Sequence, residues 1–173
     1  MTVESLWSIL STPEQSGIPS SIKSVAIDVP TLIIAAKTSP SLKLLHNFPH
    51  LYLSFVRIMY LLLAGISPIF VFEGRTSNEL HEAQQSLLPL LEAFGIPHIQ
   101  APAEAEIVCS KLSKDRLVDA VITSDSDALL YGARKVIKNF TVDNCRSGKV
   151  LVYDAENLEA IDGTKMGRSN LIA

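Results

Sequence analysis

At 173 residues the chain has the size of one domain and can bury a single substantial core, which excludes a solenoid or a large multidomain machine. Hydrophobic residues make up 47% and charged residues 19%, the composition of a compact globular protein and the opposite of a disordered one. Fifteen Lys and Arg against 18 Asp and Glu give a formal charge of -3, so any contact with nucleic acid has to come from local patches and not from net charge.

Val3, Leu6, Trp7 and Leu10 follow the spacing of an amphipathic helix, and the Pro, Gly and Ser of residues 11–21 read as a loop. Glu4 stands where a secretory signal carries positive charge. Residues 24–28 form a short β-branched apolar run that ends in Asp28, the pattern of a buried strand, and a helical segment follows. The apolar stretch from Leu51 to Ala64 contains one charge, Arg57, and is shorter than the roughly 20 residues needed to cross a bilayer. It reads as a core helix, and no membrane partner is expected.

After Gly65, residues 68–74 give a second apolar strand that closes on Glu73 and Gly74. Periodicity predicts one helix over 79–94, stopped by Gly95, then a short third strand over 96–100 interrupted by Pro97. A helix is predicted to open at Ala101 and Pro102 and to run through Glu104, Glu106 and Cys109 to Leu112. A fourth strand, 118–123, leads into Asp125 and Asp127; 135–137 and 150–153 complete the sheet, with helix starts at Asp154 and Ser169. Strands alternating with helices predict an α/β fold with a parallel sheet covered on both faces. Cys109 and Cys145 lack the spacing of a zinc site or a disulfide framework, which fits a reducing compartment.

In open α/β sheets ligands bind beyond the carboxyl ends of the strands, so acids that close successive strands converge on one rim. Asp28, Glu73, Asp125 and Asp127 meet that condition, and Glu104 and Glu106 open a helix that follows a strand. Six carboxylates in one cleft need a counter-charge, and no Lys or Arg occurs between Arg75 and Lys111. A hard divalent cation supplies it, and all-oxygen donors select Mg²⁺ or Mn²⁺ for phosphate-ester hydrolysis. Each acid taken alone has a plainer reading. Asp28 and Glu73 fit helix caps or turn formers, Glu104 and Glu106 fit a helix N-terminus, and Asp125-Ser126-Asp127 fits a capping turn. Residues two apart on a regular helix point about 200° apart, so Glu104 and Glu106 can share a site only if the helix start is irregular. His46, His50, His81 and His98 show no ligand spacing.

At these residues the sequence resembles the structure-specific 5′ nucleases of the flap endonuclease and xeroderma pigmentosum G family, along nearly its whole length. Residues 1–7 resemble the family's opening, 25–28 its first catalytic strand and 68–74 its second; the blocks 95–106 and 118–133 are the most specific. Glu73 in place of the commoner Asp, and residues 136–141, lean toward the Holliday-junction resolvase branch. The resemblance implies a PIN-like (Rossmann-like), mostly parallel sheet flanked by helices on both faces. It implies one nuclease core over 1–173, with an N-terminal part to about 75 and an internal part from about 85. It further implies that Asp28, Glu73, Glu104 and Glu106 hold a first Mg²⁺, that Asp125 and Asp127 serve a second, that Glu106 lies between them, and that Mn²⁺ can substitute. The implied substrate is flapped or branched DNA, and the implied location is the nucleus.

The sequence departs from that pattern in three places. Thr2 replaces the usual Gly, and the stretch from Arg75 to Phe94 is short and lacks the basic arch. The chain ends before the family's last metal-binding Asp and its helix-two-turn-helix, so the second metal site is expected to be incomplete. Arg75, Lys135 and Lys138 are the candidate phosphate contacts among scattered cations that include Lys111, Lys114, Arg116, Arg134, Arg146 and Lys149. A catalytically inactive interaction module and a PIN-type ribonuclease stand as alternatives. A haloacid-dehalogenase-type phosphatase fits less well, because there the Asp-Ser-Asp triplet closes the first strand.

Overall fold

The computed structural model describes residues 14–15, 18–45, 47–141, 143–144 and 150–155. The N-terminal helix predicted over 3–10, Trp7, His46, Cys145 and the helix start at Ser169 lie outside them. Seven strands build one sheet: β1 (Glu14–Gln15), β2 (Ser24–Asp28), β3 (Ser67–Phe72), β4 (His98–Gln100), β5 (Ala120–Ile122), β6 (Lys135–Lys138) and β7 (Leu151–Asp154). Their order is β1-β7-β6-β5-β2-β3-β4. The strands β2 to β6 are mutually parallel, whereas β7 runs antiparallel to β6 and β1 antiparallel to β7. The parallel prediction thus holds for the centre of the sheet, and one edge is antiparallel. β1 falls within the stretch predicted as a loop.

Among the described residues, the helices between these strands are α1 (Val29–Thr38), α2 (Pro40–Leu45), α3 (Pro49–Leu63), α4 (Asn78–Gln85), α5 (Leu88–Phe94), α6 (Ala105–Lys114) and α7 (Asp127–Leu130). Alternation along the strands divides the core in two. Val25 and Ile27 of β2, Phe70 and Phe72 of β3, and Ile122 of β5 pack with Leu32, Ile58, Leu61 and Leu91 of the helices on one face. Ala26, Val71, Val121 and Val136 face the other side and pack with Ala105, Cys109, Ala128 and Leu129. Burial on both faces explains why these strands read as continuous apolar runs. No helix among the described residues is long and apolar enough to cross a membrane.

Two helix predictions require correction. The single helix over 79–94 is two helices, because Pro89 has no N–H for the Gln85 carbonyl and its ring crowds that group. Ser86 turns the chain there: its hydroxyl donates to Ala83 O at 2.8 Å, and His50 Nε2 lies 2.8 Å from Ser86 Oγ. With the hydroxyl proton so committed, Nε2 is the donor. His50 is buried, and burial followed by the Lys37 charge lowers its pKa, so it is a neutral packing histidine. The second correction is the start of α6, which begins at Ala105 and not at Ala101. Ala101 N donates to Phe72 O at 2.9 Å and Gly74 N to Ala103 O at 2.8 Å, holding 101–104 beside the end of β3.

The helices α3, α5 and α6 end in the same way. Ile66 N donates to Leu61 O after α3, Ile96 N to Leu91 O after α5, and Leu117 N to Leu112 O after α6. This closure needs a left-handed residue just past the helix. Gly65 and Gly95 supply it at φ 72° and 63°, but after α6 the position is Arg116, at φ 59°. A non-glycine residue there is strained by about 1–2 kcal/mol, partly offset by the greater freedom of glycine in the unfolded chain. Arg116→Gly is therefore expected to stabilise the fold by about 0.5–1 kcal/mol, raising the unfolding midpoint by ~1–4 °C in a thermal melt. A lower midpoint would show that the arginine side chain contributes more than the strain costs.

Candidate active site

Because β2, β3 and β5 are parallel neighbours, their carboxyl ends meet on one edge of the sheet. Asp28 is the last residue of β2, Glu73 follows β3, Asp125 follows β5, and Asp127 opens α7. Glu104 precedes α6 with extended backbone (φ -82°, ψ 129°), and Glu106 sits in the first helical turn. That irregular start is what the two-residue spacing demanded. All six acids fall in one electrostatic neighbourhood: Glu106 feels Asp125, Asp28, Asp127 and Glu104, while Asp28 feels Glu73.

Burial is the dominant force on the two deepest acids. Asp28 is 2% exposed, and desolvation raises its pKa to about 6, against the Thr123 hydrogen bond and with some help from Glu73. Desolvation, then the neighbouring carboxylates, raise Glu106 to about 8. Its Oε1 is buried without a hydrogen-bond partner. Asp127 is also raised, by burial, Asp125 and Glu104. The buried thiol of Cys109 beneath the rim is pushed up by burial and by Asp28 and Glu106, which keeps it protonated.

The structure separates the plain readings from the chemical one. Asp28 is the N-cap residue of α1, yet its side chain makes no capping bond; Oδ2 accepts from Thr123 Oγ1 at 2.9 Å. Glu73 does cap a helix, but a distant one: Oε2 accepts from Ala105 N at 2.8 Å, the first N–H of α6. Asp125 forms the capping turn, with Oδ1 accepting from Asp127 N at 3.0 Å. Glu104 and Glu106 make no such bond to the helix start.

Sequence reasoning missed several residues that organise this edge. Buried Thr123 donates to Asp28 and accepts from Asp125 N at 3.1 Å, linking acids from two strands. Gln84 and Gln100 bond the Glu73 backbone, and Tyr131 stands 43% exposed one turn after Asp127. Thr123, a hydroxyl closing an apolar strand two residues before Asp125, was the one visible signal. Of the candidate phosphate contacts, Arg75 is exposed just beyond Glu73 and Lys138 ends β6 on the acidic edge. Lys135 begins β6 at the opposite edge and is bonded to Asp154.

Among the described residues, no three His, Cys, Asp or Glu side chains stand close enough together to hold an ion as they are arranged. The donor chemistry nevertheless fits a hard divalent cation: the acids offer oxygen alone, the charges acting on Glu106 are all negative, and Glu106 Oε1 is an orphaned buried acceptor.

Comparison with known proteins agrees with this geometry. The family model of the XPG N-terminal domain matches residues 1–88, and that of the XPG I-region matches 95–173. Flap endonuclease GEN homolog 1 of Mus musculus is 31% identical over 195 residues, covering 92% of this chain and 21% of its own length. This chain thus spans about a fifth of that relative. Human GEN1 in complex with Holliday junction DNA superposes with a TM-score of 0.83 at 26% identity, over 99% of this chain and 48% of that one. The junction-resolving enzyme GEN1 with product DNA and a Mg²⁺ ion gives a TM-score of 0.66 at 26% identity, over 87% and 35%. With both of its regions matched in order along one continuous sheet, the chain belongs to the XPG family.

Proposed function

We propose that this chain is the core of a Mg²⁺-dependent, structure-specific DNA endonuclease that hydrolyses phosphodiesters at flaps or junctions in nuclear repair and recombination. The observation that carries the reading is the acidic edge itself, where six carboxylates from β2, β3, β5 and the starts of α6 and α7 act on one another. Support comes from the DNA and Mg²⁺ in the GEN1 structures. Residues 1–173 would act as one nuclease unit.

Asp28, Glu73, Glu104 and Glu106 would hold one ion and Asp125 and Asp127 a second, with Glu106 between and Mn²⁺ as a substitute. Bound there, the cation supplies Lewis acidity toward water and the scissile phosphate and offsets the charge that develops on it. The protein's part is to keep the acids in place and to release their protons. Thr123 fixes Asp28 against Asp125, and Glu73 stays joined to the start of α6. Arg75 and Lys138, on the same edge, are the phosphate contacts we favour; Lys135, paired on the far edge, is better placed for a structural role.

A second reading, an inactive interaction module, is favoured by one observation. The stretch between Gly74 and Gly95 is filled by α4 and α5 and carries no Lys or Arg after Arg75 to meet a phosphate. Cleavage of labelled 5′-flap and four-way-junction DNA in Mg²⁺ and Mn²⁺, with single-stranded RNA alongside, separates the readings. The wild-type chain is expected to cut at the branch, and Asp125→Ala and Glu106→Ala to lose more than about 100-fold of that rate. A folded wild-type chain that cuts nothing favours the module, and preference for RNA favours a ribonuclease.

The raised acids also set a pH dependence. Asp28 moves from 3.8 to about 6 and Glu106 from 4.5 to about 8, so both hold protons more tightly in the folded chain than in the unfolded one. Their contribution to stability is complete below the unfolded values and is lost as pH rises through the folded ones. Glu79, held low by its Lys37 bond, and Asp119, held low by the Lys23 amide, act in the opposite direction at more acid pH. In chelator, the unfolding midpoint is expected to fall by several degrees between pH 5 and 8.5, and Glu106→Gln to flatten that slope. A wild-type midpoint that is flat or rises over the range would contradict the burial of these acids.

A further inference from the structure

Gln84 of α4 is 1% exposed and stands among the largest fully buried side chains of the chain. Burying an amide in an apolar core is costly unless its hydrogen bonds are met, and a leucine would fill the same space without that cost. Here the amide has definite partners. Gln84 Oε1 accepts from Glu73 N at 2.6 Å, and Gln84 Nε2 makes a longer bond to Glu73 O at 3.5 Å. Gln100, the last residue of β4, donates from Nε2 to the same carbonyl at 2.6 Å.

The need for these amides follows from the sheet. Phe72 and Gly74 give their peptide groups to the β4 side, through Ala101 N and Ala103 O. Along a strand successive peptide groups point to opposite neighbours, so those of Glu73 turn toward β2. The β2 pairing ends at Asp28 opposite Val71, where the chain turns into α1. The Glu73 N–H and C=O have therefore outrun their strand, and glutamine amides complete them. Gly74 closes the arrangement: a Cβ there would lie 2.1 Å from Ala101 O, so only glycine lets β3 approach the 101–103 segment this closely.

We propose that Gln84, assisted by Gln100, is a positioning residue that fixes the Glu73 backbone so that the Glu73 carboxylate is presented to a divalent cation on the acidic edge. This rests on the metal reading above. Groups that orient a metal ligand typically change metal affinity by ~10–100-fold when removed. Helix α4 thereby becomes part of the metal site's support without touching it.

Mn²⁺ binding to the 173-residue chain, followed by electron paramagnetic resonance well below the unfolding midpoint, tests the proposal without reference to cleavage. Gln84→Met keeps the volume and deletes both bonds, and is expected to weaken Mn²⁺ binding about 10-fold. Gln84→Asn, too short by one methylene to span both contacts, is expected to fall between it and wild type. Gln85→Met, the exposed neighbour on the same helix, should bind as wild type does. A purely structural role would lower the melting midpoint and leave the affinity of the folded chain unchanged. Wild-type affinity in folded Gln84→Met, or in Gln84→Asn should the methionine variant not fold, overturns the proposal while leaving the metal reading intact. Absence of Mn²⁺ binding by the wild-type chain overturns both.

Discussion

The structure is organised around an electrostatic conflict at the carboxyl edge of its sheet. The charges that act on Glu106 are all negative, from Asp125, Asp28, Asp127 and Glu104, and the residue is itself largely withdrawn from water. Such a cluster is costly in a core that otherwise closes well on both faces of the sheet. The fold relieves it in the metal-free chain by leaving a proton on Glu106 at neutral pH and, below about pH 6, on Asp28 as well. A cation and a proton are then alternatives for the same oxygens, and the site is poised between them.

Much of this was legible in the chain because the signals were local. Strands buried on both faces must be apolar throughout, so Ser24–Asp28 and Ser67–Phe72 announced themselves, and an acid closing each run marked the edge where ligands bind. The Gly95 stop was equally plain, since a left-handed residue was needed there. The illegible parts depend on distant partners. Pro89 was available to break the helix over 79–94, but amphipathic periodicity bridged the break, and the Ser86–His50 contact that holds the turn joins residues 36 apart. Residues 101–104 look helical by composition, yet the end of β3 captures them through Ala101 N and Gly74 N. Thr123 reaches Asp28 across 95 residues, a distance at which neither pattern nor propensity speaks.

The same lesson separates the capping and catalytic readings of the acids. At Asp28 the local explanation is incomplete, because the side chain reaches beyond its own helix to Thr123. At Asp125 the local explanation holds, through Asp127 N. Glu73 belongs to both, since it caps a helix that starts 32 residues later. Capping would not compete there with the proposed metal binding. One carboxylate oxygen on a helix N–H fixes the orientation of the group, and a ligand with a fixed orientation loses less freedom when it binds an ion.

Glu73 also stands where the two matched regions join in one sheet. The strands β2 and β3 belong to the N-terminal match, and in the sheet they lie between β5 and β4 of the I-region. Neither region can complete this sheet without the other. At the seam, Gln84 from the first region and Gln100 from the second both bond the backbone of Glu73, and the Glu73 carboxylate supports the first helix of the second. The acids proposed to hold a cation together are thus carried on segments that complete one sheet. Assembly of the acidic edge is thereby tied to completion of the sheet, and the chain gathers that charge only where the backbone to restrain it is already in place.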